Sequence, residues 1–304
     1  MRATVAPTIV LSPPFSNLIT TVTRSQTHTY PTALKCLNHN KVSLEDHYQR
    51  NATKYWDNFY KRHQDKFFKD RHYLEKDWRY YFAEDEVCSN EKVVLEVGCG
   101  SGSTLFPLMA AFPNIYVHAC DLSPHAIELV KSNVNFIEDR VNAIVCDVTL
   151  ESLCEKIDPF SVDVVTLVFM LSAVSPSKMP LILENIKTVI KPNGYVLLRD
   201  YAAGDFAQVK LQKKDRMIGE DFYVRGDGTC SFYFSEDFLS TLFLRAGFHT
   251  VDMNTYCREV YNRSRNVTMN RRWIRGNWQC STVQGFNIPQ LDSEDRFNLL
   301  HEGK

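Results

Sequence analysis

Three carboxylates mark the ends of three successive apolar runs. Glu96 lies at the end of Val93–Val97, just before three glycines spaced two apart, Gly98, Gly100 and Gly102. Asp121 follows Ile115–Cys120, and Asp147 follows Ala143–Cys146. Glycines at that spacing let a backbone bend tightly and approach a ligand closely, since they carry no Cβ. An acid beside the turn suits a cofactor with a cationic end, such as the ammonium of S-adenosylmethionine, and would repel a pyrophosphate. Asp121, about 20 residues past the turn, is placed to accept both hydroxyls of a ribose. Asp147 can accept the exocyclic amine of an adenine. A single acid at a strand end is as readily a helix cap or part of a solvated loop; three in sequence make a site.

The elements that must carry these acids are legible around them. Val93–Met109 reads as strand, glycine turn and helix, with the helix amides facing whatever lies over the strand end. No GxxxxGK[ST] pattern follows, which excludes a P-loop, and GxGxG differs from the dinucleotide-binding GxGxxG. A fourth run, Val162–Leu171, opens with Asp163 and ends in Ser172–Pro176. A fifth, Tyr195–Leu198, follows the turn Lys191–Gly194 and ends in Arg199, Asp200 and Tyr201. Polar residues thus collect at the carboxyl ends of strands, where open α/β sheets bind ligands.

The remainder of the chain bounds the function. At 304 residues, with one visible strand–helix pattern, it reads as a single elaborated α/β domain. No apolar stretch is long enough to span a membrane. A formal charge of −1 means that nucleic acid must be held by local patches. The nine cysteines form no CxxC, against a zinc ribbon or disulfide scaffold and for a reducing compartment. Asn51, Asn262 and Asn266 then match the glycosylation pattern by chance. Met1–Leu44 has no Asp or Glu, and its Ser, Thr, Pro and scattered basic residues fit either a transit peptide or a disordered tail. Localisation therefore stays open between the cytoplasm and an organelle. Segment 45–82 is dense in charge and aromatics. Trp56 and Tyr60, one turn apart, are expected to form a lid over the cofactor, beside a basic surface for RNA from Lys61 to Arg79. Residues 83–280 form the main domain and 281–304 a disordered tail. Within that domain, Asp227–Gly228 signals a hairpin between Phe222–Val224 and Phe232–Phe234. A helix over Phe238–Ala246 is capped by Gly247. Phe248–Tyr256 and Trp273–Trp278 make a closing antiparallel pair. Arg258, Arg263, Arg265, Arg271, Arg272 and Arg275 are read as either a solvated loop or a phosphate-binding patch.

Six stretches together carry a resemblance: KYWDNFY (Lys54–Tyr60), LEVGCGSGSTLFPL, FMLSAVSP (Phe169–Pro176), Asn185–Gly194, VLLRDY (Val196–Tyr201) and EDFYVRGDGT (Glu220–Thr229). On these the chain resembles the methyltransferase-like family of tRNA N3-methylcytidine methyltransferases. The resemblance implies a class I, Rossmann-like α/β fold, with a seven-stranded, mostly parallel sheet, an antiparallel last strand and helices on both faces. It implies S-adenosylmethionine as cofactor and cytosine 32 of the tRNA anticodon loop as acceptor, with an aminoacyl-tRNA synthetase or other protein as a partner of some members; the residues themselves point to neither membrane nor metal. Carried over, Trp56, Tyr60, Gly98, Asp121, Asp147, Val148 and Val168 line the cofactor site, Val148 and Val168 on the family's word alone; Glu96 and Gly100 of the turn join them. Ser103, Ala202 and Cys230 stand where the family often has Asn, Gly and a basic residue.

N3 of neutral cytosine has a free lone pair, so catalysis needs positioning and no base. The base must be unpaired and splayed into a pocket. Asp200 is expected to accept a hydrogen bond from N4 and to stabilise the ring's growing positive charge. Arg199 would hold O2 or a phosphate, and Tyr201 would pack on the base; otherwise Arg199 and Asp200 form a structural ion pair. Three other readings compete. They are a methyltransferase for a small molecule or protein, an inactive tRNA-binding paralogue, and, fitting least, a nicotinamide oxidoreductase.

Overall fold

The structure is a computed structural model, and it describes residues 43–83, 91–263 and 266–281. The expectations for the acid-free N-terminus up to residue 42, for Arg265 and for the tail after Ser281 lie outside the described residues. Contacts divide the chain between Lys41 and Val42, and everything described belongs to the second unit.

Among the described residues four helices come first: α1 (Leu44–Arg50), α2 (Ala52–His63), α3 (Tyr73–Asp77) and α4 (Arg79–Phe82). The alternating layer follows with β1 (Lys92–Val97), α5 (Leu105–Ala111), β2 (Ile115–Asp121), α6 (Pro124–Lys131), β3 (Val141–Val145) and β4 (Val162–Val168). Next come α7 (Met179–Val189), β5 (Ile190–Tyr201), α8 (Phe206–Gln212), β6 (Met217–Gly219), β7 (Phe222–Val224) and β8 (Cys230–Phe232). The described residues close with α9 (Glu236–Arg245), β9 (Phe248–Asn262) and β10 (Val267–Cys280).

Seven strands form one sheet in the order β3-β2-β1-β4-β5-β10-β9. The first five are parallel, and β10 alone runs antiparallel to both its neighbours. Strands buried on both faces read as near-continuous apolar runs, and β1 and β4 do so apart from Lys92, Glu96, Asp163 and Thr166. Alternate residues of one strand serve opposite cores. Leu95 and Val97 of β1 pack with Ile182 and Ile186 of α7 and with Leu239 of α9. Val94, between them, packs with Leu105 of α5, Ile127 of α6 and Trp78. Helices therefore cover both faces, as expected of the class. Strand order reverses between β1 and β4, and that switch point opens a crevice at the carboxyl edge.

Three details depart from the sequence reading. The turn Lys191–Gly194 lies inside β5, at a register irregularity opposite Val162 and Val164, with Lys191 Nζ bonded to Asp163 at 2.8 Å. The hairpin after β5 gains a third strand, β6, and its second strand is Cys230–Phe232. The closing pair is longer than expected: β9 and β10 run beyond the last residue of β5, Tyr201, which pairs with Trp273. Arg258, Arg271, Arg272 and Arg275 accordingly lie on paired strands and not in a loop. Among the described residues no helix is long and apolar enough to cross a membrane, and no group of His, Cys, Asp and Glu is placed to hold a metal ion.

Candidate functional site

The site begins where β1 ends. Gly98 and Cys99 both donate backbone hydrogen bonds to the Cys120 carbonyl, at 2.8 and 3.0 Å, so the glycine turn is stitched to the end of β2. Gly98 and Gly100 have φ of +71° and +55°, a region that L side chains enter at a cost. Space also demands glycine. A Cβ on Gly98 would run into Met170, and one on Gly100 would lie 2.5 Å from the Tyr60 hydroxyl.

Asp121 holds this turn. Its Oδ2 accepts from Gly100 N at 3.0 Å and its Oδ1 from Ser123 N at 2.9 Å. Burial raises its carboxyl to about 6, against those hydrogen bonds and one from Leu122 N. Asp147 is fixed by an Asx turn, in which Oδ1 accepts from Thr149 N (3.0 Å) and Thr149 Oγ1 (2.7 Å). The lid is α2. Trp56 and Tyr60 stack along it with ring centroids 6.1 Å apart. Asp57 clamps it down by accepting from Ser123 Oγ (3.0 Å) and His125 N (3.1 Å) at the start of α6. Burial pushes the Asp57 carboxyl up, but the bonds from Lys61, His125 and Ser123 outweigh it and leave it low.

A cavity opens under this lid. Trp56, Tyr60, Gly98, Asp121, Asp147 and Val148 all line it. Gln49, Thr149, Met170 and Ala173 line it too, and the sequence reading did not name them. Gln49 lies on α1 and Trp56 on α2, so no single helical period links the first to the lid. Thr149 sits in the turn that fixes Asp147, while Met170 and Ala173 needed the loop after β4 folded over the glycines. Gly100 and Val168 line an adjoining pocket instead of the cofactor cavity. Glu96 lines neither and lies 2 % exposed beneath the turn. Burial pushes its carboxyl up to about 8, against Arg71 and a hydrogen bond from Thr104. Among the described residues its Oε2 has no hydrogen-bond partner.

The adjoining pocket shares Trp56, Tyr60, Gly98 and Phe169 with the cavity. Phe169 has φ +54°, a strained setting for an aromatic residue, and strain of this kind gathers at functional sites. Its ring starts a ladder to Tyr201 (4.9 Å) and Tyr233 (5.7 Å from Tyr201). Arg71, Arg225 and Arg271 line the same pocket. Arg71 donates to Ser103 Oγ (2.7 Å) and Thr104 Oγ1 (2.8 Å), tying the segment after the lid to the glycine turn. Arg271 Nε bonds Asp205 at 2.8 Å.

Of the three residues expected to do chemistry, the structure brings one to the pocket. Tyr201 lines it. Asp200 does not: it is fully buried, with Oδ2 accepting from Ser172 N (3.0 Å) and Oδ1 from Tyr201 N (2.8 Å). Burial raises its carboxyl to about 6, against the Ser172 and Tyr201 bonds and the more distant charge of Arg225. Arg199 also stays out of the pocket. It pairs with Asp77 at 2.8 Å, between the rings of Tyr73 and Tyr256, and not with Asp200. Strand alternation separates Asp200 from Tyr201, and Arg199, on the Tyr201 face, is held away by its pairing with Asp77.

Residues 95–196 match the family model described as a methyltransferase domain. Human tRNA N(3)-cytidine methyltransferase METTL6 is 42% identical over 227 residues, covering 75% of this chain and 80% of its own. The Schizosaccharomyces pombe tRNA N(3)-methylcytidine methyltransferase trm141 is 39% identical over 234 residues, covering 76% and 94%. The Saccharomyces cerevisiae tRNA(Thr) (cytosine(32)-N(3))-methyltransferase is 35% identical over 247 residues, covering 80% of this chain and 38% of that one. Among solved structures, an Anabaena variabilis SAM-dependent methyltransferase superposes with a TM-score of 0.56 at 12% identity, covering 76% of this chain and 95% of its own. A Burkholderia thailandensis N1-methyltransferase crystallised with S-adenosylhomocysteine gives 0.53 at 16% identity, covering 80% and 92%.

Proposed function

The chain belongs to the tRNA N(3)-cytidine methyltransferases, and on that footing we propose that it methylates N3 of cytosine 32 in the tRNA anticodon loop, with S-adenosylmethionine as donor. The observation that carries this reading is the shared wall: a lidded cavity bearing Asp121 and Asp147 opens beside an aromatic, arginine-lined pocket.

The residues fit the cofactor. Asp121 and Asp147 present carboxylates for the ribose hydroxyls and the adenine amine. The glycines leave the room that a Cβ would fill. When bound, S-adenosylmethionine supplies a methyl whose S–C bond breaks as the N3 lone pair forms the new bond, so positive charge passes from sulfur to the cytosine ring. Trp56 and Tyr60 close over the cavity and exclude water. Tyr201 and Phe169 stack the splayed base. Asp200 acts behind them as a positioning residue, holding the Ser172 and Tyr201 backbones together. Removal of its carboxylate should lower transfer and leave cofactor affinity in place.

RNA is favoured as acceptor by the β9–β10 ribbon. Arg258 and Arg271 sit directly opposite each other on it. Arg271 is already held by Asp205, whereas Arg258 is exposed and available to a phosphate. The test is methyl transfer from labelled S-adenosylmethionine to bulk tRNA, followed by digestion to nucleosides. Label in 3-methylcytidine is expected; label confined to another nucleoside refutes the assignment. The same assay with and without cell extract tests for a protein partner of the aminoacyl-tRNA synthetase class.

A further inference from the structure

The reading above leaves open which groups recognise the acceptor base. Cytosine presents three atoms along its Watson–Crick edge: the N4 amine, which donates, the N3 lone pair, and O2, which accepts. A pocket that reads this edge needs one fixed acceptor and one fixed donor on either side of N3.

Asp227 is the single carboxylate among the described residues that line the base pocket. Its Oδ1 accepts from Thr229 N (3.0 Å) and Thr229 Oγ1 (2.7 Å), which locks the side chain in an Asx turn. No donor among the described residues is bonded to its Oδ2, although three arginines line the same pocket. Two of those are committed: Arg71 to Ser103 and Thr104, and Arg271 to Asp205. The Arg225 guanidinium has no hydrogen bond or ion pair among the described residues and lies 5.6 Å from the centre of the Tyr201 ring. Asp227 and Arg225 ride on one tight turn. Arg225 N donates to Thr229 O at 2.7 Å, and Gly228 N to Arg225 O at 3.1 Å. The turn is also braced from outside, since the Tyr55 ring of α2 packs where a Cβ of Gly228 would stand. A free acceptor and a free donor are thus held two residues apart on a rigid support, in a pocket whose other charged groups are occupied.

We propose that Asp227 and Arg225 read the cytosine edge, Asp227 accepting from N4 and Arg225 donating to O2. This rests on the reading of the pocket as the acceptor site. It gives Asp227 two tasks: uracil would present O4 to the carboxylate and be rejected, and the cationic product ring would find a counter-charge beside it. It also supplies the carboxylate that Asp200, sealed behind Tyr201, does not bring to the base.

The experiment compares full-length wild type with Asp227→Asn and Arg225→Met on tRNA transcripts. The acceptor nucleotide is cytidine or its pyrimidin-2-one analogue, which keeps the N3 lone pair and lacks the N4 amine. A hydrogen bond to a charged group is worth about 10–100-fold in kcat/KM. Wild type should therefore prefer cytidine over the analogue by about that factor. Asp227→Asn should lose a similar factor on cytidine and discriminate between the two bases by less than about threefold. Arg225→Met should lose activity on both bases equally, because both retain O2. S-adenosylhomocysteine affinity, measured by calorimetry, should be the same in all three proteins. Undiminished preference for cytidine in Asp227→Asn overturns the assignment, and so does a loss of cofactor affinity in that variant. Absence of transfer to cytidine by wild type, even with cell extract added, overturns the acceptor reading and this assignment with it.

Discussion

Gly100→Ala is the sharpest single perturbation of the cofactor site, because the structure separates its cost into two parts. The first is conformational. Gly100 has φ +55°, and an alanine held in the left-handed region costs roughly 1–2 kcal/mol. The second is steric. The new Cβ would stand 2.5 Å from the Tyr60 hydroxyl and 3.3 Å from Cζ, so the ring must shift into the cavity. Overpacking of that kind costs about 1–3 kcal/mol. The reduced entropy of the unfolded alanine chain returns roughly 0.4–1 kcal/mol. The variant should then be less stable by about 1–5 kcal/mol. A displaced Tyr60 should weaken S-adenosylhomocysteine binding by about 5–100-fold, on the scale of 1.4 kcal/mol per tenfold. Tyr60→Phe removes the clashing oxygen and leaves the ring. That hydroxyl makes no hydrogen bond among the described residues, so Tyr60→Phe alone should be close to wild type in stability. The double variant should recover the steric part and keep the conformational part, giving a coupling of about 1–3 kcal/mol. Urea unfolding at constant m and calorimetric titration read both quantities. Additive losses in the double variant would refute the reasoning, since they would mean that the ring and the turn do not meet.

Asp57→Ala removes the acceptor shared by Ser123 Oγ and His125 N; the lid should loosen by roughly 1–2 kcal/mol, seen as weaker cofactor binding with unfolding little changed. Trp278 is fully buried and stacks on Phe243 with centroids 3.8 Å apart, so Trp278→Ala should cost about 3–5 kcal/mol in global stability and be visible in urea unfolding without ligand. Arg258→Ala should leave cofactor affinity intact, weaken tRNA binding, and reduce the slope of log affinity against log salt by about 0.7 per lost phosphate contact. Glu96 takes up a proton far more readily when folded, near about 8, than the ordinary carboxylate of the unfolded chain. The native state therefore holds the extra proton between about pH 4.5 and 8, and stability falls as pH rises through that window. Glu96→Gln should abolish the part of the decline between pH 6 and 8, where Asp121 and Asp200, near about 6, contribute little more; an unchanged slope in urea midpoints would remove Glu96 as its source.

The elements around the cofactor were legible because each announces itself locally. The β1 run and its glycines fix a strand and a turn, and Asp121 and Asp147 end their strands where a ligand must lie. Trp56 and Tyr60 share a helix face at one-turn spacing. What the sequence hid is what depends on register and on packing between distant segments. Arg199, Asp200 and Tyr201 are adjacent in sequence, yet alternation sends Tyr201 to the pocket and buries Asp200 behind it. Arg71 looked like one more cation in a charged segment, and only the fold puts it against Ser103 and Thr104. The arginines of β9 and β10 looked like loop residues, because polar strands that leave the core carry no apolar period to declare them.

The same packing explains why one helix can serve both halves of the reaction. Along α2, Trp56 and Tyr60 face the cofactor cavity, and Asp57 anchors the helix to the start of α6. Tyr55, the neighbouring residue, packs on Gly228 in the turn that carries Arg225 and Asp227. Closing the lid over the cofactor and setting the base-reading turn are therefore not independent events. An α2 that shifts away from the cavity must also withdraw its support from the turn. The arrangement favours binding in which cofactor and base each stabilise the lid position that the other needs, and it places that coupling in a contact between one tyrosine ring and one glycine.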